Sequence, residues 1–516
     1  MSGYVPNIPR AKRDAELRNV EPTDHHALQW AQYEQYSQRP SAKPATTEVA
    51  LRIGVFFDGT GNNATNTALG ERCGAHHPIE PEDLDAACKP YMADPDSSYG
   101  NDITNVRKLY DLYLDEAKPS GSGPRMRMTR RIYVDGIGTR AGGEDSTLGA
   151  SLGRGETGVA NRVRKAFSDI DDALARAGEE VRDCQITSLI FDIFGFSRGA
   201  AAARHFANEV ARAAHGPLGA ALRAHKKSFS ATFINEYQRG IDVGFIGLFD
   251  TVAAVGGISN VGNVRSPNAP GLKLYLAPKL FPHVVHLVAR DELRANFSLS
   301  SVAPDHLEIV LPGAHSDIGG GYLRYTEESV FVSPMQALTV SVGTDIRTTS
   351  IYKHARQTLV QMVSLGWPAS MLKVATPSAV RLPSDPQDRL APQRQRVFAG
   401  VNLKRHVRGD LAHVYLRLMH NFAEKRSVPL LPVPDTAEHA IPEDIAHLWR
   451  QFSHSDYALS DVDEELLRTH YIHFSGHWNH PFGKVTAGGL KVVYINAPNA
   501  SRTRLIHPHV PEWSLF

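Results

Sequence analysis

The chain has 516 residues, about 3.4 times a ~150-residue domain, so it can bury one large core and still carry insertions. Its 56 Lys plus Arg balance 55 Asp plus Glu to a formal charge of +1, which argues against nucleic-acid binding through bulk charge. With 42% hydrophobic and 22% charged residues it is of ordinary globular composition, neither disordered throughout nor collagen-like nor a coiled coil.

Residues 1–47 are polar and punctuated by Pro6, Pro9, Pro22, Pro40 and Pro44, and they read as an N-terminal arm. The start lacks an apolar h-region, and no stretch approaches 18 uninterrupted apolar residues, so a soluble chain without a Sec-type signal is expected. Glu48 to Phe57 (EVALRIGVFF) is an apolar run that stops at the turn cluster Asp58-Gly59-Thr60-Gly61-Asn62-Asn63, the pattern of a buried parallel strand. Ala64 to Arg131 reads as an insertion holding Cys73 and Cys88. With Cys184 these are the three cysteines, too few for a disulfide framework, and they argue for synthesis in a reducing compartment. A Cys73–Cys88 bridge stays open for a protein that ends up outside the cytoplasm.

A helical stretch over Glu156 to Ala177 precedes a second apolar run, Ile186 to Phe194, which enters Gly195. Another helix is expected over Ala200 to Ala214. Strands over Val243 to Phe249 and Leu307 to Leu311 then run into Asp250 and into Pro312-Gly313. This alternation predicts an α/β fold, a mostly parallel sheet flanked by helices over residues 48–332, whose active-site groups gather at the carboxyl ends of the strands. Residues 333–463 read as a mainly helical second module facing a membrane or a partner, and 464–516 as a C-terminal segment returning to the core. Asp410 to Arg426 and Ala355 to Trp367 carry apolar stripes at helical spacing, for which core packing is the better expectation than membrane contact.

The chemistry centres on Gly195-Phe196-Ser197-Arg198-Gly199, a G-x-S-x-G placed directly after a strand and before an alanine-rich helix. A serine on that sharp turn is exposed, with glycines two positions away on either side keeping Cβ atoms clear of the neighbouring strand and helix. Its base and acid are expected on later strand-end loops in the order acid, then histidine, which selects Asp250 and His315. Competitors are Asp317, Asp192 and Asp242 for the acid, and His283, His286 and His205 for the base; Asp192 and His205 read as structural. Backbone N–H groups of Arg198 and of the Gly59-Thr60 turn are expected to form the oxyanion hole. A rival reading is a phosphatase-like hydrolase built on Asp58, weakened because the expected nucleophile position holds Phe56. His470, His473, His477 and His480 have spacings that tempt a zinc reading, but Gly476 and Pro481 break the helix it needs, so no metal or cofactor is expected. Gly319-Gly320-Gly321 reads as a tight turn holding His315 rather than a phosphate cradle.

Six blocks resemble, in the same order, those of the first family of type VI secretion lipase effectors: residues 55–63, Asn105-Val106 with Leu109-Tyr110, residues 133–139, residues 195–200, residues 247–252 and residues 313–322. The tail, with Ile472-His473, His477-Trp478-Asn479 and Asn496-Ala497-Pro498, is similar to that family too. The resemblance implies an antibacterial phospholipase of α/β-hydrolase fold with Ser197 as nucleophile, Asp250 as acid and His315 as base. It also implies cargo binding to the type VI spike protein, a cognate immunity protein, and action on membrane phospholipids in the periplasm of the prey cell. The expected activity is hydrolysis of acyl esters of glycerophospholipids, of the phospholipase A type. A non-catalytic cargo or binding module is the other alternative.

Overall fold

Apolar runs that end in glycine-rich or acidic turns become one sheet in the computed structural model. Its strands are β1 (Thr47–Phe57), β2 (Arg125–Val134), β3 (Cys184–Phe196), β4 (Ile241–Phe249), β5 (Val284–Ala289) and, after the two-residue β6 (Leu299–Ser300), β7 (Leu307–Leu311). They are ordered β2-β1-β3-β4-β5-β7 and every neighbouring pair is parallel. The structure describes residues 47–511 except 81, 117, 122–124, 146–157, 181–183, 254–270, 384–391 and 479–495; the N-terminal arm, His480 and Asn479 lie outside it. Among the described residues no helix is long and apolar enough to cross a membrane.

Parallel strands must be covered on both faces, and two sets of helices do this. One face packs on α3 (Val159–Glu180), α4 (Arg198–Val210) and α5 (Leu218–Ala224), through Ile170, Leu174, Phe206 and Leu222. The other packs on α2 (Asn105–Leu112), α8 (Leu411–Glu424), α9 (Ala446–Ser453) and α10 (Asp461–His470), through Leu109, Tyr415, Met419, Phe452 and Leu467. The connection leaving β1 runs one way, to β2, and the connection leaving β3 runs the other way, to β4. The loops after β1 and β3 therefore flank a topological switch point, where open α/β sheets open a crevice for ligands.

Residues 333–463 depart from the mainly helical expectation by adding a second sheet: β9 (Gln336–Ser341), β10 (Leu372–Ala375), β11 (Val380–Arg381) and the preceding β8 (Thr326–Phe331) all pair antiparallel with the long β12 (Arg394–Val407). Val397, Ala399, Val401 and Leu403 alternate along β12 onto Ile351, Ala355 and Met362 of α7 (Ser350–Ser364), so a period of two outweighs helix propensity there. The helix α8 lies in the core of the parallel sheet, with ten of its residues buried, including Leu411, Tyr415, Leu418 and Met419, in keeping with the core-packing expectation for its apolar stripe. The 64–131 insertion is also shorter than expected, because β2 starts at Arg125 and its Met128, Ile132 and Val134 join the core. Ahead of it, α1 (Ala64–Arg72) leads into a small cluster of Ala75, Met92 and Tyr99 stapled by a Cys73–Cys88 disulfide.

A buried ion pair ties β1 to β3. Arg52 donates from Nε and Nη2 to the two oxygens of Asp192 at 2.6 and 2.8 Å, and Tyr113 Oη adds a bond at 2.8 Å. Asp192→Ala would leave a desolvated guanidinium and a buried phenol without their acceptor, and should cost about 3–5 kcal/mol. A thermal midpoint within experimental error of the unaltered protein would show that the pair is not holding the sheet together.

Candidate active site

Ser197 occupies the turn between β3 and α4 with φ 58 and ψ −126, a left-handed backbone that non-glycine residues rarely adopt. The flanking glycines are required by close approach: a Cβ on Gly195 would stand 2.6 Å from Gly199 O, and one on Gly199 would stand 2.3 Å from Asp58 O. The strained turn is thus wedged between its own helix and the loop after β1, which holds the serine at the carboxyl edge of the sheet.

Asp250 caps β4, and it too has a positive φ, 41°. Its Oδ2 accepts from His315 Nδ1–H at 2.5 Å and its Oδ1 accepts from Ala289 N at 2.9 Å. Arg504 adds a two-pronged contact, from Nη1 at 2.6 Å and Nη2 at 2.8 Å. Burial alone would raise this carboxyl; the Arg504 guanidinium and the His315 bond outweigh it and hold it well below the usual carboxylate range. His315 opens the short helix α6 (His315–Gly319), where Glu292 accepts from its backbone N at 3.3 Å. Burial of the ring lowers its affinity for a proton below the ordinary imidazole value, against the opposing pull of Asp250. With Nδ1–H committed to Asp250, Nε2 carries the lone pair that a base requires.

The imidazole is clamped between Phe196, at 4.6 Å between ring centroids, and Phe297, edge-on at 4.9 Å. Phe196 immediately precedes Ser197, so one ring links Ser197 to His315. Among the described residues Ser197 Oγ and His315 Nε2 form no hydrogen bond; such bonds commonly tighten only when substrate arrives. Asp250 and His315 come from the edges of β4 and β7, with β5 between them, an intervening strand that the sequence reading passed over.

The competing residues fall elsewhere. Asp192 sits in the ion pair with Arg52, and Asp242 accepts from Val243 N at 2.8 Å. Asp317 accepts from Ala314 N at 2.9 Å and from His473 Nδ1 at 2.7 Å. His283 precedes β5, at the opposite edge of the sheet, and His205 Nδ1 accepts from Lys273 N at 3.2 Å. Both nitrogens of the fully buried His286 are engaged, Nδ1 by Glu308 at 3.0 Å and Nε2 by Thr251 N at 2.9 Å. His473 is stacked on Tyr322 at 3.6 Å. Among the described residues no group of three or more His, Cys, Asp or Glu side chains is arranged to hold a metal ion.

The expected oxyanion hole needs one correction. Gly59 N–H donates to Asp58 Oδ1 at 2.7 Å and is not available to an oxyanion. Asp58 itself is enclosed: Oδ1 also takes Thr104 Oγ1 at 2.7 Å and Oδ2 takes Tyr133 Oη, while burial pushes the carboxyl up to about 6. Those bonds tie both carboxylate oxygens to the surrounding side chains and backbone, which counts against a phosphatase-like centre. In the same turn Gly61 N donates to Ile137 O and Asn62 N to Gly59 O, whereas Thr60 N–H has no acceptor among the described residues. Thr60 Oγ1 is buried and equally unpartnered among them. The Arg198 N–H belongs to the first turn of α4, directly after Ser197. Burial draws the Arg198 guanidinium down to about 10, so it keeps its charge at neutral pH. The sequence reading missed Arg504, which carries no motif and reaches Asp250 from 254 residues away.

Comparisons with known proteins bear on this site. Residues 219–341, which include Asp250 and His315 and begin after Ser197, match the family model described as the catalytic domain of Tle1-like type VI secretion phospholipase effectors. The fold is similar to that of the Tle1 effector bound to the VgrG spike from the type 6 secretion system, with 29% identity and a TM-score of 0.67 over 92% of this chain and 98% of that one. A crystal structure of an uncharacterized Pseudomonas aeruginosa protein aligns at 17% identity with a TM-score of 0.41, over 89% of this chain and 56% of that one. No curated protein matches the sequence. The first two findings support a type VI secretion phospholipase effector.

Proposed function

We propose that this chain, similar to Tle1-like type VI phospholipase effectors, hydrolyses acyl ester bonds of membrane glycerophospholipids through an acyl-enzyme on Ser197. The observation that carries the reading is the His315 Nδ1 bond to Asp250 beside a serine held at positive φ. In the first half-reaction His315 Nε2 takes the Ser197 hydroxyl proton while Oγ attacks the ester carbonyl. Negative charge gathers on the carbonyl oxygen, where the Thr60 and Arg198 N–H groups supply donors. Collapse expels the lysophospholipid alkoxide, which takes the proton from His315 and leaves an acyl-serine. Water, deprotonated by the same imidazole, then releases the fatty acid and restores Ser197. None of these steps calls for a metal or cofactor.

The partners proposed with this activity are the type VI spike that carries the protein and an immunity protein in the producing cell. The site of action is the prey periplasm. Incubating the purified protein with defined diacyl phospholipids and identifying products by mass spectrometry tests the reading. Lysophospholipid and free fatty acid are expected; release of phosphate, diacylglycerol or a phosphorylated headgroup would replace acyl-ester hydrolysis with another chemistry.

The acid limb of kcat/KM should report His315. The ring is useful only when neutral, and its proton affinity is lowered by burial, so the limb should lie below the ordinary imidazole value of about 6.5. Activity should then be level through neutral pH. A rise that begins only above pH 8 would contradict the direction of that shift.

A further inference from the structure

The loop that carries Phe297 against the base also receives the end of the chain. Strand β13 (Ile506–His507) pairs with β6, and Leu299 N donates to Leu505 O at 2.9 Å. Earlier in the tail, Ala295 N donates to Ala497 O at 3.0 Å. These backbone bonds fix the rail along which Arg504 enters. Its Nε donates to Phe297 O at 2.7 Å, while Nη1 and Nη2 straddle the two oxygens of Asp250. The guanidinium is only 7% exposed and its partner carboxylate not at all. Between Arg504, Ala289 N and His315, both oxygens of the acid are held in one orientation.

We propose that Arg504 is a positioning residue of the triad: it fixes Asp250 against His315 and tempers the negative charge the imidazole faces, so the site is complete only with the C-terminal segment docked. This rests on the serine-hydrolase reading above. The physical case is a balance of charge. A buried carboxylate without a counter-cation would hold the proton on the imidazole more tightly and raise the pH at which the base becomes neutral. The other charged groups beside the ring cancel, because Glu292 is paired with Arg294 at 2.8 and 3.0 Å. Asp317, two residues along α6, is committed to His473. Removing the Arg504 charge therefore leaves Asp250 and Glu292 facing Arg294 alone.

The sign follows directly. Without Arg504 the imidazolium is favoured, so the acid limb of kcat/KM moves to higher pH and activity falls more at pH 6 than at pH 8. The test compares pH profiles of hydrolysis of a defined diacyl phospholipid by the full chain and its Arg504→Gln, Arg504→Lys, His509→Gln and Ser197→Ala variants. Arg504→Gln should lower plateau kcat by about 10² to 10³ fold with little change in KM and shift the limb upward by about one unit. Arg504→Lys keeps a cation without the two-pronged geometry, so its limb should return toward that of the unaltered protein while kcat stays reduced. His509 anchors the same tail, with Nδ1 on Asp305 at 2.8 Å and Nε2 accepting from Leu276 N at 2.9 Å, and does not touch Asp250. His509→Gln should lower thermal stability and leave the limb in place. An Arg504→Gln limb coincident with that of the unaltered protein overturns the proposal; where that variant does not fold, unreduced kcat in Arg504→Lys overturns it. Turnover surviving in Ser197→Ala overturns the serine reading, and the role of Arg504 with it.

Discussion

Ser197→Ala and His315→Ala are each expected to lower phospholipid ester hydrolysis by about 10³ to 10⁶ fold with little effect on folding, because each removes a group that acts only as the tetrahedral intermediate forms. Combining them should cost scarcely more than either alone, since nucleophile and base act as one unit. Asp250→Asn should fall by about 10⁴ fold, as an amide in that place ceases to hold the Nδ1–H tautomer of His315. It should also lower the thermal midpoint, because Arg504 is then buried against a neutral group. The three variants are thus separable: two lose rate alone, and the third loses rate and stability. Turnover in His315→Ala close to that of the unaltered protein would remove the histidine-base mechanism, since the buried ring of His286 has both nitrogens engaged and His283 stands at the other edge of the sheet.

Fusing an export signal to the chain should make it lethal to a host without immunity, whereas expression without the signal should be tolerated far better. The Ser197→Ala form should be harmless from either side. The reasoning joins substrate to redox chemistry. Phospholipid is present on both faces of the inner membrane, so a producing cell needs an inhibitor or an enzyme that matures elsewhere. The Cys73–Cys88 bridge is the chemistry of an oxidising compartment, and its thiols stay reduced in an ordinary cytoplasm. Colony-forming units counted after induction of the two versions, each with and without Ser197, measure the effect. Equal killing from the cytoplasm would refute periplasmic action and leave the hydrolase standing; equal killing by the Ser197→Ala form would remove lipid hydrolysis as the cause.

Much of the frame was legible because its signals are local. The runs that became β1, β3, β4 and β7 each combine apolar residues with a turn cluster. The elbow glycines are legible as well, since a turn that tight admits no Cβ at Gly195 or Gly199. β5 escaped notice because His286 interrupts its apolar run; the ring is buried only through bonds to Glu308 and Thr251 that no local pattern announces. β2 was hidden by its arginines, and the alternation of Val397, Ala399, Val401 and Leu403 in β12 was present in the sequence but outweighed by the helical stretches around it.

By itself the sequence determined the strand-turn-helix context of Ser197 and the strand-end positions of Asp250 and His315, because each depends on residues within a few positions of one another. Only the tertiary structure decided that Gly59 N–H is taken by Asp58 and that Arg504 pairs with Asp250. Such pairings depend on the path of the chain between them. A guanidinium meeting a carboxylate 254 residues away leaves no period, spacing or turn signature in the sequence, since what brings them together is the docking of β13 on β6.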